Sequence, residues 1–332
     1  MSASDKTVQT MTTGAKLRSR LSVTRLRDMG VFLALLFFVL VFASLSPRFL
    51  TFDNFINVSR QISSNVIIGC GLTFVIITAG IDLSVGSMVA LSGVLLAGLM
   101  WTYYVPWPLA VLITIVVLGL FGLLNGLAVA KQGLNPLIVT LAMMTAARGV
   151  ALSYSGGEPI FIEEPVILAV GNGYVGPIPI PVIIAIVVMI IAHIVLTRTK
   201  LGRYVYAIGG NEEAARISGI NVDRIKMFVY ILSAVCAALA GIIVSGRLYS
   251  GNPTAGQGTE LDVIAAVVIG GTSLFGGVGS IGGTLLGAFI VGIISNGLTI
   301  LNVPFYYQLM AKGLVIYVAI LIDKYTRSIR QA

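Results

Sequence analysis

The chain is 332 residues long, 57% of them apolar and only 10% charged, with a formal net charge of +8. Soluble domains carry about 25% charged residues, so a deficit this large excludes a surface that mostly faces water. The apolar runs are continuous, which excludes the alternating pattern of an outer-membrane barrel and leaves an all-α polytopic membrane protein.

Residues 1–28 form a basic tail with Lys6, Lys16, Arg18, Arg20, Arg25 and Arg27. A helix crossing about 30 Å of hydrocarbon needs roughly 20 apolar residues. That ruler marks about ten spans, at 30–46, 62–79, 86–104, 108–130, 136–154, 179–197, 227–249, 262–275, 278–300 and 305–322. The first run and the tail before it are too long for a cleaved signal peptide, and nine more spans follow. Cys70 and Cys236 lie inside apolar runs and read as small packing residues, with no disulfide framework.

A tight polar turn, "GIDLSVGSMVALSG" (80–93), separates the second and third spans. Asp82, two residues before Ser84, suits the N-terminus of the third span, where the helix dipole favours an anion; a direct part in transport is the other reading of both residues. In the fourth span Gly122 and Gly126 stand four apart, a flat stripe for close helix packing. Asn125 and Asn135 flank its inner end, and Asn296 lies in the ninth span; such amides hydrogen-bond between helices or touch a polyol, and the sequence does not choose. Arg148 is an intramembrane charge in the fifth span, with no partner readable from the sequence. The following loop, 155–178, is acidic through Glu158, Glu163 and Glu164. His193, the only histidine, reads as a packed or interfacial residue.

Between the sixth and seventh spans stands the polar loop 198–226, "RTKLGRYVYAIGGNEEAARISGINVDRIK". Gly209 and Gly210 permit a sharp reversal, Asn211 is a good N-cap, and Glu212 and Glu213 suit the positive end of a helix dipole. Ala214, Ala215, Arg216 and Ile217 continue the turn, and Gly219 stands at C′. A helix of about eight residues is marginal alone in water. It reads as a rigid knob held by the flanking spans, offering Ala214, Ala215, Ile217 and Ile220 to a partner. Asn221 then caps the helix that runs into the seventh span.

"GTELDVIAAVVIGG" (258–271) opens the eighth span, which is short and glycine-rich; interrupted segments are tolerated only where protein surrounds them. Asp262 is placed to cap it as Asp82 caps the third. Gly279, Gly283 and Gly287 make a second packing stripe, and Lys312 is a further intramembrane charge. With the tail inside, Lys131, loop 198–226, Lys324, Arg327 and Arg330 fall on the cytoplasmic side, so the basic excess is a topology signal that places both termini in the cytoplasm. It is not a nucleic-acid surface. The division is a tail at 1–28, one transmembrane domain at 29–326 and a C-terminal tail at 327–332. The acidic-Leu cores at 80–93 and 258–271 suggest an inverted five-plus-five repeat.

No G-x-x-x-x-G-K-[ST] loop is present to cradle ATP phosphates, no ligand set suits zinc, and no chain of membrane carboxylates suits a proton relay. A secondary transporter and an intramembrane enzyme both lack their chemical parts.

"GIDLSVGS" (80–87), "GRYVYAIGGNEEAARISGI" (202–220) and "PTAGQGTELDVIAAVVIGGTSLFGGVGSIGGTLLGA" (253–288) closely resemble the ribose-type permeases of bacterial ATP-binding-cassette sugar importers, in the branched-chain amino acid/ribose permease superfamily, from about Leu45 to Asp323. The resemblance implies a multi-pass inner-membrane permease acting as a dimer with a second permease subunit, with a cytoplasmic ATPase that holds ATP and Mg and a periplasmic sugar-binding protein. It implies that this chain is non-catalytic, binds no cofactor, and passes a monosaccharide: D-ribose, or alternatively allose, xylose, myo-inositol or a furanosyl signal. It also implies that Gly209, Gly210, Asn211, Glu212, Glu213, Ala214, Ala215, Arg216 and Gly219 form the contact with the ATPase.

Overall fold

Each long apolar run folds as a helix, because only intrahelical bonds satisfy its backbone in hydrocarbon. The computed structural model describes residues 30–331. The basic tail at 1–28 and the side chains of Lys324, Arg327 and Arg330 lie outside what it describes. The chain runs α1 (Gly30–Leu45), α2 (Phe52–Ile77), α3 (Val85–Trp101), α4 (Trp107–Ala130), α5 (Pro136–Ser155), β1 (Ile160–Phe161), α6 (Pro165–Asn172), β2 (Tyr174–Val175) and β3 (Ile178–Pro179). It continues through α7 (Ile180–Arg198), α8 (Lys200–Gly210), α9 (Glu212–Ile217), α10 (Val222–Leu248), β4 (Ser250–Gly251), α11 (Thr259–Ile269), α12 (Ile281–Ile300) and α13 (Phe305–Gln331). Among the described residues α2, α4, α5, α7, α10 and α12 are long and apolar enough to cross a membrane, and α1 and α3 are shorter apolar helices. The chain is a mostly helical, multi-pass membrane protein.

The core gathers on α2, α3 and α10. The most apolar window of α2 is 83% buried, against 17% in α5 and in α7, so α2 is central and those two are peripheral. Small residues set the packing distance. A side chain on Gly122 would meet the Tyr230 carbonyl oxygen at 2.6 Å, and one on Gly126 the Met227 Cα at 2.7 Å, so this stripe lets α4 lie directly on α10. On α12, Gly287 faces the Ala266 carbonyl of α11 and Gly283 the carbonyl of Gly270, the residue that follows α11, with no room for a side chain. Gly279 precedes α12 and belongs to a turn, so the second stripe is two glycines rather than the expected three.

Helix α2 begins ten residues before the expected 62. Thr51 caps it, accepting from the Asn54 amide at 3.3 Å, and its polar opening turns escape a hydropathy ruler. The expected span at 262–275 is helical only through Ile269. Eleven residues reach about 16 Å, and a turn follows, with Gly271, Gly276 and Gly277 at positive φ. The acidic loop at 155–178 contains α6, whose Ile167 packs beside Leu96, Ala97 and Ile242. It also contains the β2–β3 hairpin and β1, which pairs antiparallel with β4 through Ile160–Gly251 and Phe161–Ser250.

Candidate functional site: a capped stub and the polar break behind it

The polar loop forms two helices, not one. Thr199 caps α8 by accepting from Gly202 N at 3.4 Å, and α8 runs through both Gly209 and Gly210. The expected reversal at these glycines is absent: neither has positive φ. Gly209 is required for a different reason. A Cβ there would collide with the Ile77 carbonyl oxygen, which ends α2, and with the Gly277 amide, whereas Gly210 has open space around it.

Asn211 then caps α9, its Oδ1 accepting from Ala214 N at 2.9 Å. The helix is six residues long, shorter than expected. Gly219, at φ +83°, ends the motif, with Ile220 N donating to the Ala215 carbonyl at 3.1 Å. Lys226 Nζ donates to Glu212 Oε2 at 2.6 Å. Arg216 Nη2 lies 3.0 Å from Asp223 and 3.6 Å from Glu212. The hydrogen bond and charge of Asp223 raise the Arg216 guanidinium above its usual range, with Glu212 and Glu213 adding to the effect. Ala215 is buried with Ile208 and Val222, with Ile220 packed beside them. Ala215 and Ile220 therefore anchor the stub and are not offered outward. Glu213, Ala214 and Arg216 are exposed, and Ile217, at 79% exposure, is the apolar tip.

The stub is keyed to the membrane helices behind it. Tyr206 Oη donates to the Gly279 carbonyl at 2.7 Å, and burial pushes this hydroxyl's pKa up, keeping it a donor. Gly277 N donates to the Ile77 carbonyl at 2.9 Å. The end of α2, the 276–279 turn and the end of α8 thus meet at one joint.

From this joint the chain enters the 78–84 break. Asp82 Oδ1 accepts from Ser84 N at 3.0 Å and Ser84 Oγ at 2.5 Å, and Oδ2 accepts from Ser233 Oγ at 2.8 Å. Asn125 Nδ2 donates to Ser84 Oγ at 3.1 Å. All four residues are fully buried, and Asn125 Oδ1 has no partner. Asp82 bonds Ser84, the residue before α3, and so does not cap the helix itself as expected; Asn125, 41 positions on, joins the two, and the cluster ties the break to α4 and α10. In this conformation none of them is open to solvent.

The other candidates stand apart. Arg148 Nη1 donates to the carbonyls of Pro253 at 2.6 Å and Ala255 at 2.8 Å, a pairing no sequence pattern announces. Asp262 does not cap α11: Glu260 Oε1 accepts from Gly258 N at 3.2 Å, while Asp262 pairs with Lys312 at 2.7 Å. Asn296 and Asn54 form a reciprocal amide pair, 3.0 Å each way. Sequence reasoning missed Tyr206, Lys226 and Ser233. Ser233, a hydroxyl within an apolar span, is the one with a visible signal.

A family model described as the permease component of the branched-chain amino acid transport system matches residues 54–320. Ribose import permease protein RbsC of Haemophilus influenzae is 46% identical over 298 residues, covering 89% of this chain and 92% of that protein. RbsC of Bacillus subtilis is 45% identical over 301 residues, 90% of this chain and 93% of its own length. The D-allose transport system permease protein AlsC of Escherichia coli is 42% identical over 296 residues, 89% and 91% of the two chains. No solved structure matches.

Proposed function

Because this chain belongs to the branched-chain amino acid transport system permease family, we propose that it is the membrane subunit of an ATP-binding-cassette importer for a monosaccharide, D-ribose foremost. Relatives named for ribose at 45–46% identity support that substrate over allose, whose named relative is 42% identical. The subunit pairs with a second permease, receives sugar from a periplasmic binding protein and is driven by a cytoplasmic ATPase carrying ATP and Mg. It lies in the bacterial inner membrane and crosses it ten times, with α11 and its glycine turn as the eighth passage and both termini inside. The two halves are inverted repeats, a reading supported by the matching entries into α3 and α11 after non-helical segments.

The observation that carries the mechanism is the stub itself. An isolated six-residue helix is unstable in water, yet this one is capped at Asn211, ended at Gly219 and anchored by Ala215. Its exposed residues, including Ile217, are the surface that meets the ATPase. Closure of the ATPase pair pulls the stub, and the joint at Ile77, Gly209 and Gly277 passes the displacement to α2 and to the turn before α12. Work is transmitted only if the ATPase binds the permease states with different affinity.

The test is uptake of labelled ribose into vesicles containing permease, ATPase and binding protein. Uptake that requires ATP and all three components is expected. Uptake by the permease alone, or no uptake of any sugar by the complete assembly, refutes the proposal.

A further inference from the structure

The segment between α10 and α11 does something a membrane protein rarely does with irregular backbone. After α10 ends at Leu248 and β4 pairs with β1, residues 252–258 run down beside α3. A side chain on Gly251 would collide with the Gly93 carbonyl, and one on Gly256 would meet the Gly86 carbonyl oxygen at 2.5 Å and Val89 Cβ at 3.1 Å. Gly93 and Gly86 are about 10 Å apart along α3, so the segment descends that far without forming a helix. Arg148, whose guanidinium holds the Pro253 and Ala255 carbonyls, stands about 18 Å along α5 from Pro136. The segment is therefore well inside the membrane.

Non-helical backbone at that depth is stable only if buried in protein or facing a water-filled cavity. Burial is not what is found. Thr254 and Gln257 are exposed, and Asn252 is half-buried. The Thr254 hydroxyl and amide both donate to Asn252 Oδ1, at 2.8 and 2.9 Å, which fixes the turn and presents the threonine outward. Beneath it, Glu260 Oε2 is buried against Gly86 without a hydrogen-bond partner. An exposed amide such as that of Gln257 in lipid would cost several kcal/mol, so the segment faces a water-filled route or the second permease subunit rather than lipid.

We propose that residues 252–257 line the translocation route and contact a neutral, hydroxyl-rich ligand, Thr254 and Gln257 supplying the contacts and Arg148 acting as the positioning residue that holds their backbone. This rests on the permease reading above and names the surface of this chain that meets the substrate. The exposed side chains of the segment, Thr254 and Gln257, are uncharged donors and acceptors, which complement sugar hydroxyls.

The test uses Thr254→Cys and Gln257→Cys, each in the complete transporter. The native Cys70 and Cys236 are buried, so they contribute little background. Both new thiols are expected to react with a charged, water-soluble methanethiosulfonate, and D-ribose supplied with its binding protein and ATP is expected to slow the reaction severalfold. Isoleucine in place of ribose is expected to leave it unchanged. Ile190→Cys, on the exposed face of α7, is expected to react only with a membrane-soluble maleimide. Reaction of both segment thiols with the maleimide alone, inertness to both reagents, or rates indifferent to ribose overturns the proposal. Ribose uptake by the unsubstituted transporter is measured in the same vesicles. Its absence refutes the permease reading, whereas uptake alongside inert thiols refutes only the route.

Discussion

The α-carbon of Gly209 lies against the Ile77 carbonyl so closely that no side chain fits between them. This contact joins the end of the polar-loop helix α8 to the end of the most buried membrane-spanning helix, and it separates two adjacent glycines into different roles. Gly209→Ala is expected to cost about 1–3 kcal/mol through overpacking and to lower ATP-driven uptake severely. Gly210→Ala, with open space around the position, is expected to keep the parent's stability and to lower uptake far less than Gly209→Ala. Thermal unfolding in detergent and vesicle uptake, measured side by side, check both; equal behaviour of the two variants removes the joint from the mechanism.

Ile217 tests the outward surface separately from the fold. At 79% exposure it supports nothing within the chain, so Ile217→Ser is expected to shift stability by less than about 0.5 kcal/mol. Co-purification of the ATPase should nevertheless weaken, because an apolar anchor is lost from the contact. An unchanged yield of ATPase places the contact elsewhere.

Glu212 is bonded to Lys226, which opens α10. The pair is partly exposed, so its worth in stability is at most about 1 kcal/mol. Glu212→Lys sets two ammonium groups against each other and is expected to reduce uptake while the protein still inserts. Glu212→Lys combined with Lys226→Glu should recover much of it. Failure of the double exchange to recover anything means that Glu212 acts on the ATPase rather than through Lys226.

Asp262 and Lys312 join α11 to α13. Removing one partner leaves a largely buried charge alone, so Asp262→Ala is expected to destabilise by about 3 kcal/mol, whereas Asp262→Leu with Lys312→Met should lie much closer to the parent. Denaturation midpoints of the three proteins decide it. A double variant no better than the single shows that the charges have another partner.

The membrane class, most of the long helices and the capped stub were legible in the sequence, because each rests on local physics. A run of apolar residues must satisfy its own backbone, and an Asn–Glu–Glu start with a glycine stop satisfies helix ends within a few residues. The same local logic explains the errors. Gly209 and Gly210 look like a hinge to a reader of propensities, yet Gly209 is fixed by an α2 carbonyl 132 positions away in the chain. Asp262 looks like a second copy of Asp82, but Glu260 reaches the helix start first and Lys312 takes the carboxylate.

What the sequence by itself determined is which segments prefer lipid and which polar stretch between them forms a capped, rigid stub. Tertiary structure alone decided that Asp82, Ser84, Asn125 and Ser233 share one buried network, and that Arg148 supports the irregular backbone at 253–255. The physical reason is range. Hydropathy and capping act over a few residues and leave a periodic trace, whereas a buried polar group takes whichever partner the packing of distant helices brings within about 3 Å.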